Sequence, residues 1–556
     1  MSNLLEAILP ATIMMPLAGT ILLWFFASQG KQVVRQCALV SALVTLVLAG
    51  IIVFHYSAEP TNTYTNWKAS WVTAPGIDVQ WQLGLDGLGI WLFGLSALLT
   101  VTAMLVSWEA IEDRPAAFYG LLLLLETGML GVFAARDIIL FYVFFEFTLI
   151  PLFFLIGIWG SEERRYAAIK FFLFTFAGSV LTFLGLLSIV LWHYNASGAI
   201  TFSIPDLVKG AAAHPLDRTL QLWIFLALFA GFAIKVPLFP LHTWLPLAHV
   251  QAPTAGSVIL AGILLKMGTY GFLRFAVPIL PDATAMCAPW ILGLSTAGII
   301  YGALVALAQS DMKRLIAYSS VSHLGYCMLG LFALNKPGVQ GSVLQMINHG
   351  LSTGGLFALV GMLYERYHTR QIADMSGLAK RLPLLTTFMV LFTFSSIGLP
   401  GLNGFAGEFL ILLGMFQRAW IGTPDAWAFA YKAMAVLSVF GVVLGAWYML
   451  WLVQRVFFGP LKEPSDGHHG HGHHVHDMNG REIVALAPLV VLMFWIGLQP
   501  GTFLAPIAET VDGPVAVAAK AFEKGPPAAS AAASNEPMSP EQAASALAGP
   551  AATSAR

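Results

Sequence analysis

Eight ionisable side chains, Glu126, Glu146, Lys235, His242, Lys266, His323, His349 and Glu408, lie within stretches otherwise made of apolar residues. At the centre of a bilayer each costs about 2.5–3.5 kcal/mol, so the set costs roughly 20 kcal/mol unless its members face one another or water. They therefore have to line an internal polar path. The residue types suit proton exchange, because a carboxylate and an ammonium group brought together change each other's hold on a proton. Imidazoles, with an ordinary pKa of about 6.5, pass protons near neutral pH. Glu146 stands in LFYVFFEFTLIPLFFLIGIW, and Lys235 and Lys266 are its candidate ammonium partners. At about 7 Å and an effective dielectric constant near 20, one such pair is worth about 2.4 kcal/mol. Moving one charge is then enough to make the partner take up or release a proton. A static ion pair is the competing reading for the lysines, and a satisfied structural imidazole for His323 (SSVSHLGY) and His349 (QMINHGLSTGGLF). Glu126, in LLLLLETGMLGVF, would tune the path more than carry it.

The elements that position these groups are broken in two places. In GFAIKVPLFPLHTWLPLAHVQAPT, Pro237, Pro240 and Pro246 each remove a backbone donor next to Lys235 and His242. In SSIGLPGLNGFAGEF, Gly398, Gly401, Gly404 and Gly407 surround Pro400 just before Glu408. Free backbone carbonyls are untenable in lipid, so both breaks must line a protein-enclosed, hydrated cavity. A hydropathy walk gives about fourteen spans, at about 4–26, 33–56, 86–108, 116–134, 138–159, 168–193, 220–247, 254–278, 286–308, 315–334, 341–364, 384–416, 431–458 and 482–504. Spans four to eight (116–278) and nine to thirteen (286–458) each carry their break in the fourth helix. Five is an odd number, so consecutive copies must be inverted, the pattern of an inverted-repeat transporter. The expected fold is an all-α polytopic membrane protein with two inverted five-helix repeats. Around them stand a three-helix segment (1–115), a His-rich loop (459–481), a last span (482–504) and an Ala/Pro/Ser-rich tail (505–556) expected to be disordered.

Composition agrees. Of 556 residues, 58 % are apolar and only 10 % charged, too little charge to cover a water-facing surface. The net charge of −1 leaves no basic surface for nucleic acid. Cys37, Cys287 and Cys327 are far apart and form no CxxC pair, so neither a zinc nor an iron–sulfur site is expected in this chain. The run from Leu4 to Phe26 is too long for a signal-peptide core and is expected to stay as the first span. Fifteen lysines and arginines fall on the side of the first connection, which the positive-inside rule makes cytoplasmic, with both termini outside. The segment His468 to His476, HHGHGHHVH, is a solvated loop or a transition-metal binder.

The motifs KVPLFPLHTWLPLAHVQAPTAGSVILAGILLKMGTYGFLRF, DMKRLIAYSSVSHLGY, NHGLSTGGLFALVGMLYER and GLPGLNGFAGEFLIL resemble the antiporter-like membrane subunits of proton-pumping NADH:quinone oxidoreductase, respiratory complex I. Within that family, LGLDGLGIWLF and MSGLAKRLPLL look most like its M branch, and no long lateral helix after the last span is expected, which argues against the L branch. The resemblance implies fourteen helices in two inverted bundles and a proton route through Glu146, Lys235, Lys266 and Glu408. It also implies that NADH, FMN, iron–sulfur clusters and quinone sit on partner subunits, that antiporter-like subunits flank this chain, and that it lies in a bacterial inner membrane. A multi-subunit Na⁺/H⁺ antiporter and the membrane arm of an energy-converting hydrogenase remain alternatives, since the residues that move protons would be shared.

Overall fold

The computed structural model describes residues 2–58, 64–74, 77–421, 427–464 and 475–523. Helices dominate: α1 (Ser2–Phe26), α2 (Lys31–Ala58), α3 (Ile90–Val106), α4 (Pro115–Ala134), α5 (Ile138–Trp159), α6 (Arg164–Ser197), α7 (Ile204–Ala213), α8 (Arg218–Lys235) and α9 (Trp244–Gln251). The chain continues with α10 (Thr254–Ile279), α11 (Pro281–Leu307), α12 (Met312–Phe332), α13 (Lys336–Tyr367), α14 (Pro383–Ser396), α15 (Asn403–Trp420), α16 (Ala428–Phe457), α17 (Gly480–Leu498) and α18 (Gly501–Glu523). Every span position expected from hydropathy holds helix. Among the described residues, twelve helices are long and apolar enough to cross a membrane, and α3 and α14 are shorter apolar helices.

Short polar residues stop the spans at their ends. Asp137 accepts hydrogen bonds from the backbone N–H groups of Ile139 and Leu140 at the start of α5, Asp311 from Lys313 and Arg314 at α12, and Asn335 from Gly338 at α13. Each of these satisfies donors that the first helical turn leaves free. The apolar windows of α10 and α13 are wholly buried by the helices around them, whereas α1, α2, α16 and α17 keep most of theirs on the outside. The core is thus α10 and α13, with α12 almost as fully enclosed, inside a ring that faces lipid.

Two features depart from the sequence expectations. The connection after α2 is an antiparallel hairpin, β1 (Tyr64–Ala74) and β2 (Ile77–Leu85), with Trp67 opposite Leu83 and Ala69 opposite Trp81. Its alternating YTNWKASWVTA and IDVQWQLGL are too polar to register as a span, so the hydropathy walk passes over them. The tail expected from 505 is instead helical through Glu523 as α18, and residues 524–556 lie outside the described ones, as do 465–474, most of the His-rich segment. Helix α18 buries Phe503, Ile507, Val511 and Val515, spaced four apart, and straps across the face that carries the hairpin. The Gly87 N–H donates to Thr510 Oγ1 (2.9 Å), the Gln340 amide to Asp512 (2.8 Å) and the Trp91 indole to the Phe503 carbonyl (3.2 Å).

At the base of the hairpin Asp86 accepts two hydrogen bonds from Arg274 of α10, at 2.6 and 2.8 Å, and lies 3.2 Å from Arg136. Burial alone pushes the Asp86 carboxyl up, but the two guanidinium groups hold it well below the usual carboxylate range. This triad ties the hairpin and the α4–α5 link to the enclosed helix α10.

Candidate functional site

Helix α8 ends at Lys235, and the chain runs irregularly through Pro237 and the cis Phe239–Pro240 bond before α9 begins at Trp244. The Trp244 indole N–H donates to the Ile234 carbonyl (3.0 Å), one of the acceptors that the break leaves open. Lys235 is buried, with Nζ 4.6 Å from the centre of the Phe145 ring. Glu146, the next residue along α5, is half-buried and within electrostatic reach of Lys235, with Ser179 of α6 close enough to hydrogen-bond its carboxylate. Val143 and Ile150, which share its helical face, are exposed, so this pair sits at the perimeter of the chain.

A second group of side chains follows in succession through the core. Lys266 is 0 % exposed, and its ammonium donates to the Ala261 carbonyl and to His349 Nδ1, the latter at 2.7 Å. A π-helical turn, Leu260–Leu264, directly precedes it. Such turns are frequent at functional sites. The His349 and His323 rings are 5.7 Å apart between centres. His323 Nδ1 lies 3.1 Å from Glu408 Oε1, which also accepts from the Gln345 amide (3.1 Å), and the Ser396 hydroxyl sits 3.3 Å from His323 Nε2. Six side chains from α10, α12, α13, α14 and α15 therefore run from Lys266 to the second break.

That break lies between Ser396 and Asn403, where Gly398 and Gly401 adopt the left-handed conformation, with φ of +73° and +93°. A Cβ on Gly398 would stand 3.1 Å from Glu408 Oε2, so the glycine both makes the turn and lets the carboxylate fold back against it. The surrounding hydroxyls and amides are linked: Ser395 donates to Asn403 Oδ1 (2.6 Å), the Ser352 and Ser395 hydroxyls are 2.5 Å apart, and the Asn348 amide donates to the Asn403 carbonyl (2.7 Å). His323, Gln345, His349, Ser352, Ser396 and Gly404 line one small cavity at this place.

Of the eight residues singled out from sequence, the structure brings six into these two groups. The groups are separated by a narrow cavity lined by Thr148, Phe171, Lys235, Trp244, Leu260, Leu264 and Leu265. His242 stands apart from both, packed between Phe239 and Tyr301 at ring distances of 5.6 and 5.1 Å. Its proximity to Lys235 along the chain does not carry through the irregular segment. Glu126 is fully buried on α4, and its carboxylate oxygens have no hydrogen-bond partner among the described residues.

Two members escaped the sequence reading. His249 of α9 is fully buried, stacked on Phe357 at 4.5 Å, and within electrostatic reach of Lys266 and Lys313. Neither of its ring nitrogens has a hydrogen-bond partner among the described residues. Lys313, in the first turn of α12, is buried and donates to the Ala252 carbonyl (2.5 Å). The span expected from hydropathy ends at 247, and Lys313 falls just before the expected span that begins at about 315. Neither has a spacing signal in the sequence, because His242, seven residues before His249, lies in the irregular segment and not on α9.

A polytopic helical bundle with a buried string of titratable side chains between two broken helices has the build of an ion-translocating membrane protein. Comparison with known proteins narrows this. The sequence model of the family described as "NADH:quinone oxidoreductase/Mrp antiporter, TM" matches residues 135–453. The chain is 42 % identical over 477 residues to NADH-quinone oxidoreductase subunit M of Rhodobacter capsulatus, covering 84 % of this chain and 87 % of that one. It is 39 % identical over 521 residues to the subunit M of Pseudomonas aeruginosa, covering 91 % and 97 %. A chain of respiratory complex I from Thermus thermophilus with bound NADH superposes with a TM-score of 0.78 at 33 % identity, covering 92 % of this chain and 99 % of that one. A chain of the Mrp complex from Dietzia sp. shares the fold, with a TM-score of 0.74 at 23 % identity, over 92 % of this chain and 52 % of that one. The chain belongs to the NADH:quinone oxidoreductase/Mrp antiporter family, within its branch of NADH-quinone oxidoreductase M subunits.

Proposed function

We propose that this chain moves protons as a membrane-arm subunit of NADH:quinone oxidoreductase, driven by quinone reduction carried out on partner subunits. The observation that carries the proposal is the succession Lys266, His349, His323, Glu408, with hydrogen-bond distances at its two ends and the two imidazoles 5.7 Å apart between ring centres in its middle. Glu146 and Lys235 act as the input switch. Their place at the perimeter suits a charge displacement arriving from a neighbouring membrane subunit, and antiporter-like neighbours on both sides are part of the reading. Lys266 and the two histidines relay the proton through ordered water; the space between Lys235 and Lys266 is too tight for a water molecule, so transfer between the two groups requires the packing there to open. Glu408 releases it. His249 and Lys313 extend the string toward the opposite face and serve uptake. His242 lies off this route, and Glu126 tunes its surroundings.

In the same reading the two five-helix segments are inverted repeats within a fourteen-span chain. The membrane is the bacterial inner membrane, the hairpin face is periplasmic and both termini lie on it. NADH, FMN, iron–sulfur clusters and quinone are held by other subunits. Each charge moved against 100 mV requires about 2.3 kcal/mol, comparable with the pair energy of about 2.4 kcal/mol for two buried charges about 7 Å apart.

The test is Lys235→Ala and, separately, Glu146→Ala in the intact complex. Assembly is expected to survive while most coupled NADH:quinone turnover is lost. Wild-type turnover with wild-type proton uptake in either variant would defeat the assignment. The subunits that copurify distinguish this reading from a pure cation antiporter.

A further inference from the structure

We propose that a cavity of about 280 Å³ on the hairpin face binds the phosphate of an anionic phospholipid headgroup. The β2–α3 link, the α4–α5 link, α7, the end of α10 and α18 enclose it, and its polar lining is Asp86, Arg136, Lys209, Arg274 and Thr510. Three positive charges therefore meet one carboxylate.

Asp86 is already committed. Arg274 grips it with two hydrogen bonds, the Gly89 N–H donates to it at 3.1 Å, and Arg136 reaches it only through Nη1. The Arg136 side chain is 8 % exposed, yet its Nε and Nη2 have no hydrogen-bond partner among the described residues. A buried guanidinium with two idle donors is costly unless an anion completes it. Guanidinium pairs best with planar or bidentate oxyanions, phosphate above all. Glu509 lies within electrostatic reach of the nearby Tyr56 but does not line the cavity, so no side chain among the described residues supplies the missing anion there.

The walls identify the source of the phosphate. Leu273, Val277, Val511 and Val515 give the cavity an apolar side, and Lys209 stands exposed at its rim. The cavity lies at the ends of two membrane spans, α4 and α10, the depth at which headgroups lie. An apolar wall over an arginine floor at that level matches a glycerophosphate with the start of its acyl chains, whereas free phosphate would use only the floor.

The experiment takes the whole complex in phosphatidylcholine discs doped with phosphatidylglycerol and counts retained phosphatidylglycerol by native mass spectrometry. The variants are Arg136→Gln, Lys209→Gln and, as a control on an exposed arginine of the opposite face, Arg114→Gln. Wild type and Arg114→Gln are expected to hold one phosphatidylglycerol that Arg136→Gln loses. Lys209→Gln, which removes an exposed charge and leaves the buried triad intact, is expected to hold it about fivefold more weakly. A second arm adds inorganic phosphate to the delipidated complex in detergent and follows thermal inactivation. Protection of wild type but not of Arg136→Gln in this arm alone would support the phosphate chemistry with a solution source. Equal phosphatidylglycerol retention in wild type, Arg136→Gln and Lys209→Gln, with no phosphate protection, would overturn the proposal.

Discussion

Glu408→Gln tests the proton string at its end. The carboxylate lies 3.1 Å from His323 Nδ1, and both side chains are less than one-tenth exposed. At an effective dielectric constant near 20 the attraction between Glu408 and a proton carried on His323 is about 5 kcal/mol. Relaxation and water reduce this, but half of it, about 2.5 kcal/mol, still corresponds to nearly two orders of magnitude in any step that passes through a protonated His323. Glutamine removes the charge while keeping size and an acceptor for Gln345. It also leaves no unpaired anion behind, so folding and assembly are expected to be unaffected. The assay is NADH-driven proton uptake in proteoliposomes carrying the whole complex, read beside quinone reduction, with Glu408→Asp as the charge-retaining variant. Turnover and uptake are expected to fall about 50-fold or more in Glu408→Gln and to be partly restored in Glu408→Asp. Wild-type uptake in Glu408→Gln would refute the reasoning, because the pair energy would then have no bearing on the rate.

His249→Phe should preserve the stack on Phe357 yet cut turnover at least about tenfold if the ring passes protons toward Lys266; unchanged turnover would leave His249 a packing residue. Asp86→Asn strips the only carboxylate among the described residues from two buried guanidinium groups, and a loss of about 3–5 kcal/mol is expected in the thermal stability of the purified complex; an unchanged unfolding midpoint would show that the triad is not what ties the hairpin to α10. Burial pushes the Asp137 carboxyl up to about 6 from 3.8, against the hydrogen bonds from Leu140 and Ile139. The folded chain thus keeps a proton that the unfolded chain releases, and stability falls by roughly 3 kcal/mol as pH rises from about 4 to about 6. Asp137→Asn keeps a capping oxygen and should flatten that slope in thermal scans across the window; an identical slope in both proteins would assign it elsewhere.

Hydropathy located the spans because lipid leaves a 20-residue helix no alternative way to satisfy its backbone. The same constraint made the two breaks legible, since Pro237 and Pro240 close together in one and Pro400 among Gly398 and Gly401 in the other free more backbone groups than a lipid-facing helix can satisfy, whereas the isolated prolines Pro10 and Pro16 leave α1 intact. What escaped lies at the margins where that constraint relaxes. The hairpin and α18 are amphipathic and sit at the surface, so a window averaged for apolarity reads them as loop and tail. His249, Lys313, Asp86, Arg136 and Arg274 fall within a few residues of span ends, and their burial comes from elements far along the chain. Arg274 is buried because Asp86, 188 residues earlier, reaches it. His242 fails for the opposite reason: adjacency in sequence to Lys235 implied adjacency in space, and an irregular segment does not conserve direction.

The two breaks place opposite charges at opposite helix ends, and that pairing gives the string a direction. Lys235 is the last residue of α8, where the exposed carbonyls of a helix C-terminus favour a cation. The Glu408 carboxylate folds back to Gly398, beside the start of α15, where free N–H groups favour an anion. Such end effects are worth about 0.3–1 kcal/mol at a surface and up to about 2 kcal/mol in partly buried geometries. Neutralising Lys235 by proton loss, or Glu408 by proton gain, gives up that amount at either end. A proton passing from the first break to the second therefore leaves both termini in their less favoured state. Each then returns by a transfer of its own: Lys235 by uptake, Glu408 by release. The backbone alone thus biases the string to reset after each passage, and swapping the two signs, with Lys235→Glu and Glu408→Lys together, should remove that bias while leaving the number of buried charges unchanged.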